Sequence, residues 1–475
     1  MPGPIDLVVP NNGEFNVRNA RVDLGPRAAG GYLEFGAYLA DQAVFWSTAD
    51  RVLLLPAGYD PLWFADVHEA LGSAPPPVVS PQPRTGRLLS DLMHDAAALA
   101  TLRQALGGRP VRLLSWGATP ELFLLVETIR SWGQRVDVDG VTRENEWASR
   151  YLDSKLSCLD LARDLRIPTA RSVIVADRDE LRGALAATLR RHPRAIVKSP
   201  YGVGGQGSAV VDSDDDSVAG FWDRMHDDPY FRTYPLIVQE FVAHAPGLGC
   251  PALDFRVVDG GVADLVLSAV TTTRGHLFQS VNVGVGSLPT EVADRIVPLG
   301  HRLGAAAGEL GFRGWLCVDL IAGADGEIYL SEINARRSGA MHSIGLLTAW
   351  RAERDLTLSS HDLSSVRGPG PVSYRDRVRP AFLRAWAAGL RVYPTAVRGL
   401  AFPEPMMALV AAGSSAAEAE AVVRDVLAQI DSPPTRAGTG PGVPTPTSCP
   451  TPAAGSSDEP RDAGGPPGQM AATAR

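Results

Sequence analysis

Two β-prone runs, Trp315–Ala322 and Ile328–Asn334, flank Asp325-Gly326. That pattern is a strong hairpin signal, because a type I′ turn needs positive φ at both central residues and Asp-Gly supplies it. With the turn placed there, Asp319 lies directly opposite Glu332. Glu332 and Asn334 are two apart on one strand, so they share a face. Three hard oxygen donors thus converge at one end of one hairpin face. Two carboxylates so close repel unless a cation sits between them. Mg²⁺ takes one or two carboxylates together with substrate phosphates, which is the set offered here, and Mn²⁺ fits the same donors. Arg336 and Arg337 follow, both suited to phosphate or carboxylate. The plain alternative is a solvated hairpin face carrying stray acids.

A second constraint lies in the basic residues. Of the 45 Lys plus Arg, only Lys155 and Lys198 are lysine. With abundant Ala, Gly and Pro, this bias points to a GC-rich genome in which arginine is the default cation. A retained lysine then marks a place for a compact charge with three rotatable donors, or it is chance survival. Lys198 ends the strand-like run Ala195–Lys198 and precedes Ser-Pro-Tyr-Gly-Val-Gly-Gly-Gln-Gly207. Residues 202–207 match G-x-G-x-x-G, but a dinucleotide fingerprint opens a helix, whereas Ser208–Val211 reads as a returning strand. Gly202, Gly204, Gly205 and Gly207 therefore either fold over phosphates, offering backbone N–H groups to anionic oxygens, or form a purely structural turn.

Further along, Leu236–Val242 is a buried strand carrying Gln239, Glu240 and Phe241 near its end. Glu240 is either an ordinary strand-end acid or a partner for an adenine amino group, with the Val242 backbone completing an edge contact. Asp254 and Arg256 share a face of the next strand, so one suits ribose hydroxyls and the other a phosphate or carboxylate.

Apolar runs at 5–10, 51–55 and 111–115 alternate with helical patterns, which implies a small parallel α/β domain over residues 1–146. Asn11–Glu14 reads as a polar loop and Ala74–Pro83 as an internal Pro-rich loop. A helix is expected from about Glu146 to Leu165, stopped by Pro168, and it carries Lys155. Mixed α/β follows to residue 345. Residues 346–432 read as mainly helical, with one strand at 406–410. Residues 433–475 are rich in Pro, Gly, Ser and Thr and are expected to be disordered.

The net charge of −8 argues against nucleic acid and against an anionic membrane surface. Cys158, Cys250, Cys317 and Cys449 form no CxxC pair, which fits a reducing compartment and excludes a zinc ribbon. No basic-then-apolar leader opens the chain and no run reaches membrane-span length, so a cytoplasmic location is expected.

Together these motifs resemble the ATP-grasp superfamily over about residues 147–345. The resemblance implies Lys155 and Lys198 on the ATP phosphates under the Gly202–Gly207 loop. It implies Gln239, Glu240, Phe241 and Val242 around adenine, Asp254 on ribose, and Asp319, Glu332 and Asn334 on the metal. Arg336 and Arg256 become the catalytic candidates, placed to hold acyl-phosphate oxygens. Ala335 stands where many members have proline, and Ala243–Leu253 is a long insert before Asp254. The layout also resembles the actinobacterial peptide ligases of the pheganomycin-synthetase kind. The implied fold is α/β and α+β: a Rossmann-like pre-ATP-grasp domain, a two-lobed ATP-grasp core over 147–345, a small C-terminal cap over 346–432 and a disordered tail.

The implied chemistry is ATP-dependent formation of a peptide bond through an acyl phosphate. Its substrates would be an amino-acid-like carboxylate and a peptide amine, as in antibiotic biosynthesis, with a homodimer as the default assembly. Arg337 either orients the carboxylate or forms a surface ion pair, and His276 and His342, able to accept the amine's proton, are assigned no role. Bicarbonate chemistry through carboxyphosphate, as in biotin-dependent carboxylases, and a non-catalytic nucleotide-binding module are the competing readings. No biotin-carrier segment is present in the sequence.

Overall fold

The computed structural model describes residues 3–432 apart from 203, 249, 260, 274–276 and 351–355. His276 and the 433–475 tail lie outside the described residues.

The chain first builds a parallel sheet from β1 (Ile5–Val9), β2 (Arg51–Leu54), β3 (Val78–Val79), β4 (Val111–Ser115) and β5 (Val136–Val138), in the order β3-β2-β1-β4-β5. All five residues of β1 are buried, as expected of a strand covered on both faces. The two-residue strand β3 lies inside the stretch read as a Pro-rich loop. Asn11–Glu14 is also not a loop, because a helix spans Asn12–Asn19. Asn11, just before it, is bonded internally, whereas the buried Asn12 amide has no partner among the described residues. Asn11 Nδ2 donates to the Gly117 carbonyl (2.9 Å) and Asn11 Oδ1 accepts from Trp116 N (3.0 Å), tying the carboxyl ends of β1 and β4 together. Strand order reverses between these two strands, which is where open α/β sheets bind ligands.

A second, antiparallel sheet contains β6 (Ser172–Val175), β7 (Arg194–Lys198), β8 (Ser208–Asp212) and β9 (Leu236–Glu240), ordered β6-β9-β7-β8. The glycine run joins β7 to the returning strand β8, with Lys198 paired to Ser208. Leu181, Leu185, Phe221 and Met225 from two helices close its core.

The third sheet is also antiparallel. It holds β10 (Cys250–Val258), β11 (Gly261–Thr273), β12 (Leu277–Gly284), β13 (Gly314–Ala322), β14 (Ile328–Asn334), β15 (Thr357–Ser365), β16 (Val392–Ala396) and β17 (Met406–Gly413). The order is β14-β13-β10-β11-β12-β15-β17-β16. Leu316, Val318 and Leu320 on one face of β13 pack with Ile296, Leu303 and Ala307 of the Thr290–Glu309 helix. The opposite face carries Cys317 and Asp319.

Two further expectations about element type need correction. Residues 346–432 contain the expected strand at 406–410 but also β15 and β16, so this region extends the large sheet. The helix expected over 146–165 is two, Glu146–Leu152 and Lys155–Asp164. Asp153 is drawn out of the helical path, its Oδ1 accepting from Ala335 N at 3.0 Å.

Candidate active site

Asp319 pairs with Glu332 and Cys317 with Asn334, as the hairpin pattern predicts. The turn is nevertheless not type I′. Gly326 has φ 84°, whereas Asp325 is not in the positive-φ region. Its carboxylate accepts from the Tyr329 hydroxyl (2.6 Å) and Glu327 N (3.1 Å) instead. Gly323 N donates to Glu327 O (2.8 Å), so the loop is one residue longer than a two-residue turn. The ladder then shifts between Asp319 and Leu320, which pair with Glu332 and Leu330 and leave Ser331 bulged. Bulge and longer turn cancel, and the two acids face each other.

Lys155 and Lys198 converge on this pair of acids from different elements. Lys155, the first residue of its helix, donates from Nζ to Glu332 Oε1 at 2.8 Å. Its backbone N–H donates to the Pro200 carbonyl (2.9 Å), fastening that helix to the start of the glycine loop. Lys198 is buried at the end of β7. Burial pushes its ammonium down to about 8, the nearby Lys155 adds to this, and Glu332 opposes both. On the acid side, burial and then Glu332 push the Asp319 carboxyl up to about 7. Asn334 Nδ2 donates to Asp319 Oδ2 (2.8 Å).

Gly202 and Gly207 are required by the loop itself. Gly202 has φ 157°, and a Cβ there would lie 2.0 Å from the Gln206 carbonyl oxygen. At Gly207, φ is 72° and a Cβ would meet the Tyr201 carbonyl at 2.8 Å. Gly204 and Gly205 also have positive φ, 61° and 91°. The loop is anchored by Ser199 N donating to Gly207 O (2.7 Å). Outside it, the Arg21 guanidinium lies 4.8 Å over the Tyr201 ring.

On β9, Gln239 is buried and donates from Nε2 to Ser172 Oγ (2.7 Å). Glu240 accepts from Arg171 N (3.0 Å) and faces His192 Nε2 at 3.2 Å, so its carboxylate is already engaged. Phe241 stacks on His244, and Val242 follows in the loop. Asp254, buried on β10, is held up at about 6 by burial, against hydrogen bonds from Ser338 and Cys317.

The two arginine candidates separate. Arg336 Nη2 donates to Asn334 Oδ1 (2.9 Å) and its guanidinium lies 5.3 Å over the Trp116 ring. Its buried Nε–H has no partner among the described residues. Arg256 instead engages Asp264 through Nε (2.9 Å) and Nη2 (2.8 Å), with Asp139 at 3.9 Å. It pairs with Trp315, two residues beyond the Asp254–Cys317 pair and farther from the Asp319–Glu332 pair. The structure therefore does not bring Arg256 into the cluster. Arg337 is buried, bound to Asp139 and donating to the Ser115 carbonyl (2.6 Å). His342 is buried against Ser360 Oγ (2.7 Å), with Asp362 Oδ1 at 3.7 Å.

Sequence reasoning missed Asp153 and Trp116. Both are contributed by other parts of the chain, one at a helix break and one after β4, and no spacing motif links them to the hairpin.

No family model matches the sequence, and no curated protein sequence matches it. Solved structures do. An L-amino acid ligase from Bacillus licheniformis superposes with TM-score 0.51 and 14% identity over 90% of this chain and 98% of its own. N5-carboxyaminoimidazole synthase from Aspergillus clavatus, in complex with ADP and 5-aminoimidazole ribonucleotide, gives 0.51 and 14% over 91% and 100%. Biotin carboxylase from Campylobacter jejuni gives 0.50 and 10% over 90% and 95%. At these identities the likeness concerns the fold. The smaller β6–β9 lobe and the large antiparallel sheet form an ATP-grasp fold, preceded in the chain by the parallel N-terminal sheet.

Proposed function

We propose that this chain is an ATP-dependent carboxylate–amine ligase that makes an amide bond through an acyl phosphate. The observation that carries it is the burial of two lysines, from a helix and a strand, beside two facing acids under a glycine-rich loop. Such a cluster is costly without a polyanion and a cation to complete it.

Asp319 and Glu332 would hold the ion with two carboxylates, and Asn334 would join them once its amide oxygen, which here accepts from Arg336, is turned toward them in place of Nδ2. Among the described residues no group of three or more His, Cys, Asp or Glu could hold a metal by itself. The hard oxygen chemistry of this set fits Mg²⁺ or Mn²⁺, which these residues would hold next to the nucleotide phosphates. When bound, the ion offsets phosphate charge and polarises the transferred group. Lys155 and Lys198 neutralise further phosphate charge, and the glycine loop offers N–H groups to the same oxygens. In this reading Gln239, Glu240, Phe241, Val242 and Asp254 would contact the nucleoside, with Glu240 and Gln239 now engaged by Arg171 N, His192 and Ser172.

In the first step a carboxylate oxygen attacks the γ-phosphorus, the bond to the β–γ bridging oxygen breaks, and ADP leaves. An amine nitrogen then attacks the acyl carbon. The C–N bond forms, the C–O bond to phosphate breaks, and inorganic phosphate departs as the amine loses its proton. In this scheme Arg336, whose buried Nε–H is unpartnered among the described residues, holds the acyl-phosphate oxygens. Arg256, engaged by Asp264, is left outside this scheme. Catalysis by such a site is positioning and electrostatic stabilisation.

The donor is an amino-acid-like carboxylate and the acceptor an amine of an amino acid or peptide. The test is ADP release from ATP and Mg²⁺ with panels of amino acids and short peptides, with product masses read in parallel. ADP release driven by bicarbonate alone, without a new amide, would replace this reading by carboxyphosphate chemistry.

A further inference from the structure

Beside the acid–lysine cluster, a cleft of about 280 Å³ opens between the N-terminal domain and the helix Glu146–Leu152. Phe15, Asn19, Ala118, Ser149 and Asp153 line it, together with Arg18, Arg21 and Arg150. None of these residues belongs to the nucleotide or metal set.

The cleft is electrically polarised along its depth. The three arginines are exposed. Arg18 has a carboxylate partner, Glu146 at 2.9 Å. Arg21 lies over the Tyr201 ring, and neither it nor Arg150 has a carboxylate partner among the described residues. Asp153, in contrast, is buried and faces inward. It accepts from Asn19 and from Ala335 N, the residue immediately after Asn334. Ala335 directly follows Asn334 at the end of β14, and Asp153 lies two residues before Lys155, so this end of the cleft adjoins the reaction centre. An ionised carboxylate has about four lone-pair directions, so Asp153 retains acceptor capacity beyond these two bonds.

Positive outside and negative inside is the wrong polarity for the donor, whose carboxylate must reach the phosphate. It is the right polarity for an acceptor that leads with its amine and trails a carboxylate. We propose that this cleft is the acceptor site, and that the acceptor is an amino acid or dipeptide with a free carboxylate. Its amine points to Asp153 and its carboxylate to Arg21 and Arg150. The volume lies just below the range of small-molecule pockets, roughly 300–1,000 Å³, and suits one or two residues rather than a long peptide. Phe15 and Ala118 provide the apolar wall for a side chain.

This assignment rests on the ligase reading, and one assay separates the two. Hydroxylamine traps acyl phosphates as hydroxamates without needing an acceptor site. Wild-type protein is first given ATP, Mg²⁺, hydroxylamine and each of the common amino acids as donor. Amide formation is then measured with acceptor amino acids and dipeptides and with their C-terminal amides. Wild type should prefer the free carboxylates. Arg150→Ala should raise the acceptor KM about tenfold or more, the scale of a lost hydrogen bond to a charged group, and erase that preference. Hydroxamate formation should stay unchanged, and Arg150→Lys should recover part of the acceptor KM. An unchanged acceptor KM, equal use of amides by wild type, or loss of hydroxamate in Arg150→Ala overturns the acceptor assignment. If wild type forms neither hydroxamate nor ADP with any donor, the ligase reading itself falls, and this assignment with it.

Discussion

Lys155 Nζ and Glu332 Oε1 meet at 2.8 Å, joining the first residue of a helix to the far strand of the hairpin. One contact thereby links the phosphate-binding charge to the metal-binding acid. Glu332→Gln keeps the shape and removes the charge. ADP release should fall by about 10²-fold or more, the scale seen when a preorganised electrostatic partner is lost. Circular dichroism should remain that of the wild type. Glu332 carries no such role if the variant turns over normally.

Lys198→Arg keeps the charge and changes its shape. The buried lysine ends β7 immediately before the glycine loop, and a planar five-donor fork is larger than the compact ammonium it replaces. Turnover should drop at least tenfold with thermal stability lowered modestly. Steady-state ADP release beside a melting curve measures both, and near-normal activity would return this lysine to chance.

The glycine loop gives an internal contrast. Alanine at Gly202 would place Cβ 2.0 Å from a backbone oxygen, whereas at Gly204 it meets nothing within 4 Å. Gly202→Ala should raise the ATP KM and cut turnover by an order of magnitude or more. Gly204→Ala bears only the strain of its positive φ, about 1 kcal/mol. Equal effects from the two would mean that the loop backbone does not hold its present shape during turnover.

Much of this site was legible in the sequence because its signals are local. The alternation around Asp319 and Glu332 sets which side chains face the core, and Lys198 is fixed by its place before the glycines. The register came out right although the turn type did not, since the Ser331 bulge offsets the longer loop. β15 was illegible for a physical reason. Its sequence, TLSSHDLSS, has no apolar period, yet Ser359 and Ser360 are fully buried between β12 and β17. β16 carries Pro394, which demotes a strand reading but is tolerated at the sheet edge it occupies. The arginine-rimmed cleft draws on residues near 15–21, 118 and 149–153, which only the packing of domains brings together.

Glu14 carries a pH signature away from the acids and lysines. Burial, reinforced by Glu121, pushes its carboxyl from 4.5 up to about 8, against hydrogen bonds that include Leu89 N. Between those values the folded state retains a proton that the unfolded state has lost. Stability therefore falls as pH rises through this window, by at most ~1.4 kcal/mol per pH unit, and the penalty is complete above about 8. Glu14→Gln removes the titration. Urea unfolding from pH 5 to 8 should show a flatter stability profile in the variant than in the wild type, and parallel profiles would refute the assignment.

Arg337 is the pin between the N-terminal domain and the hairpin. It is buried against Asp139, donates to the Ser115 carbonyl at the end of β4, and lies 5.6 Å over the Trp46 ring. Its backbone N–H also donates to the Trp116 carbonyl (3.0 Å), beneath the ring that carries Arg336. Removing one member of a buried ion pair leaves the other uncompensated, typically at about 3–5 kcal/mol. Arg337→Met should lose stability on that scale in urea unfolding, and the double variant Arg337→Met, Asp139→Asn should recover a substantial part of it. Because Arg336 rests on the same segment, activity should fall in the single variant and return partly in the double. A single variant as stable as wild type would show that the domains are held together elsewhere.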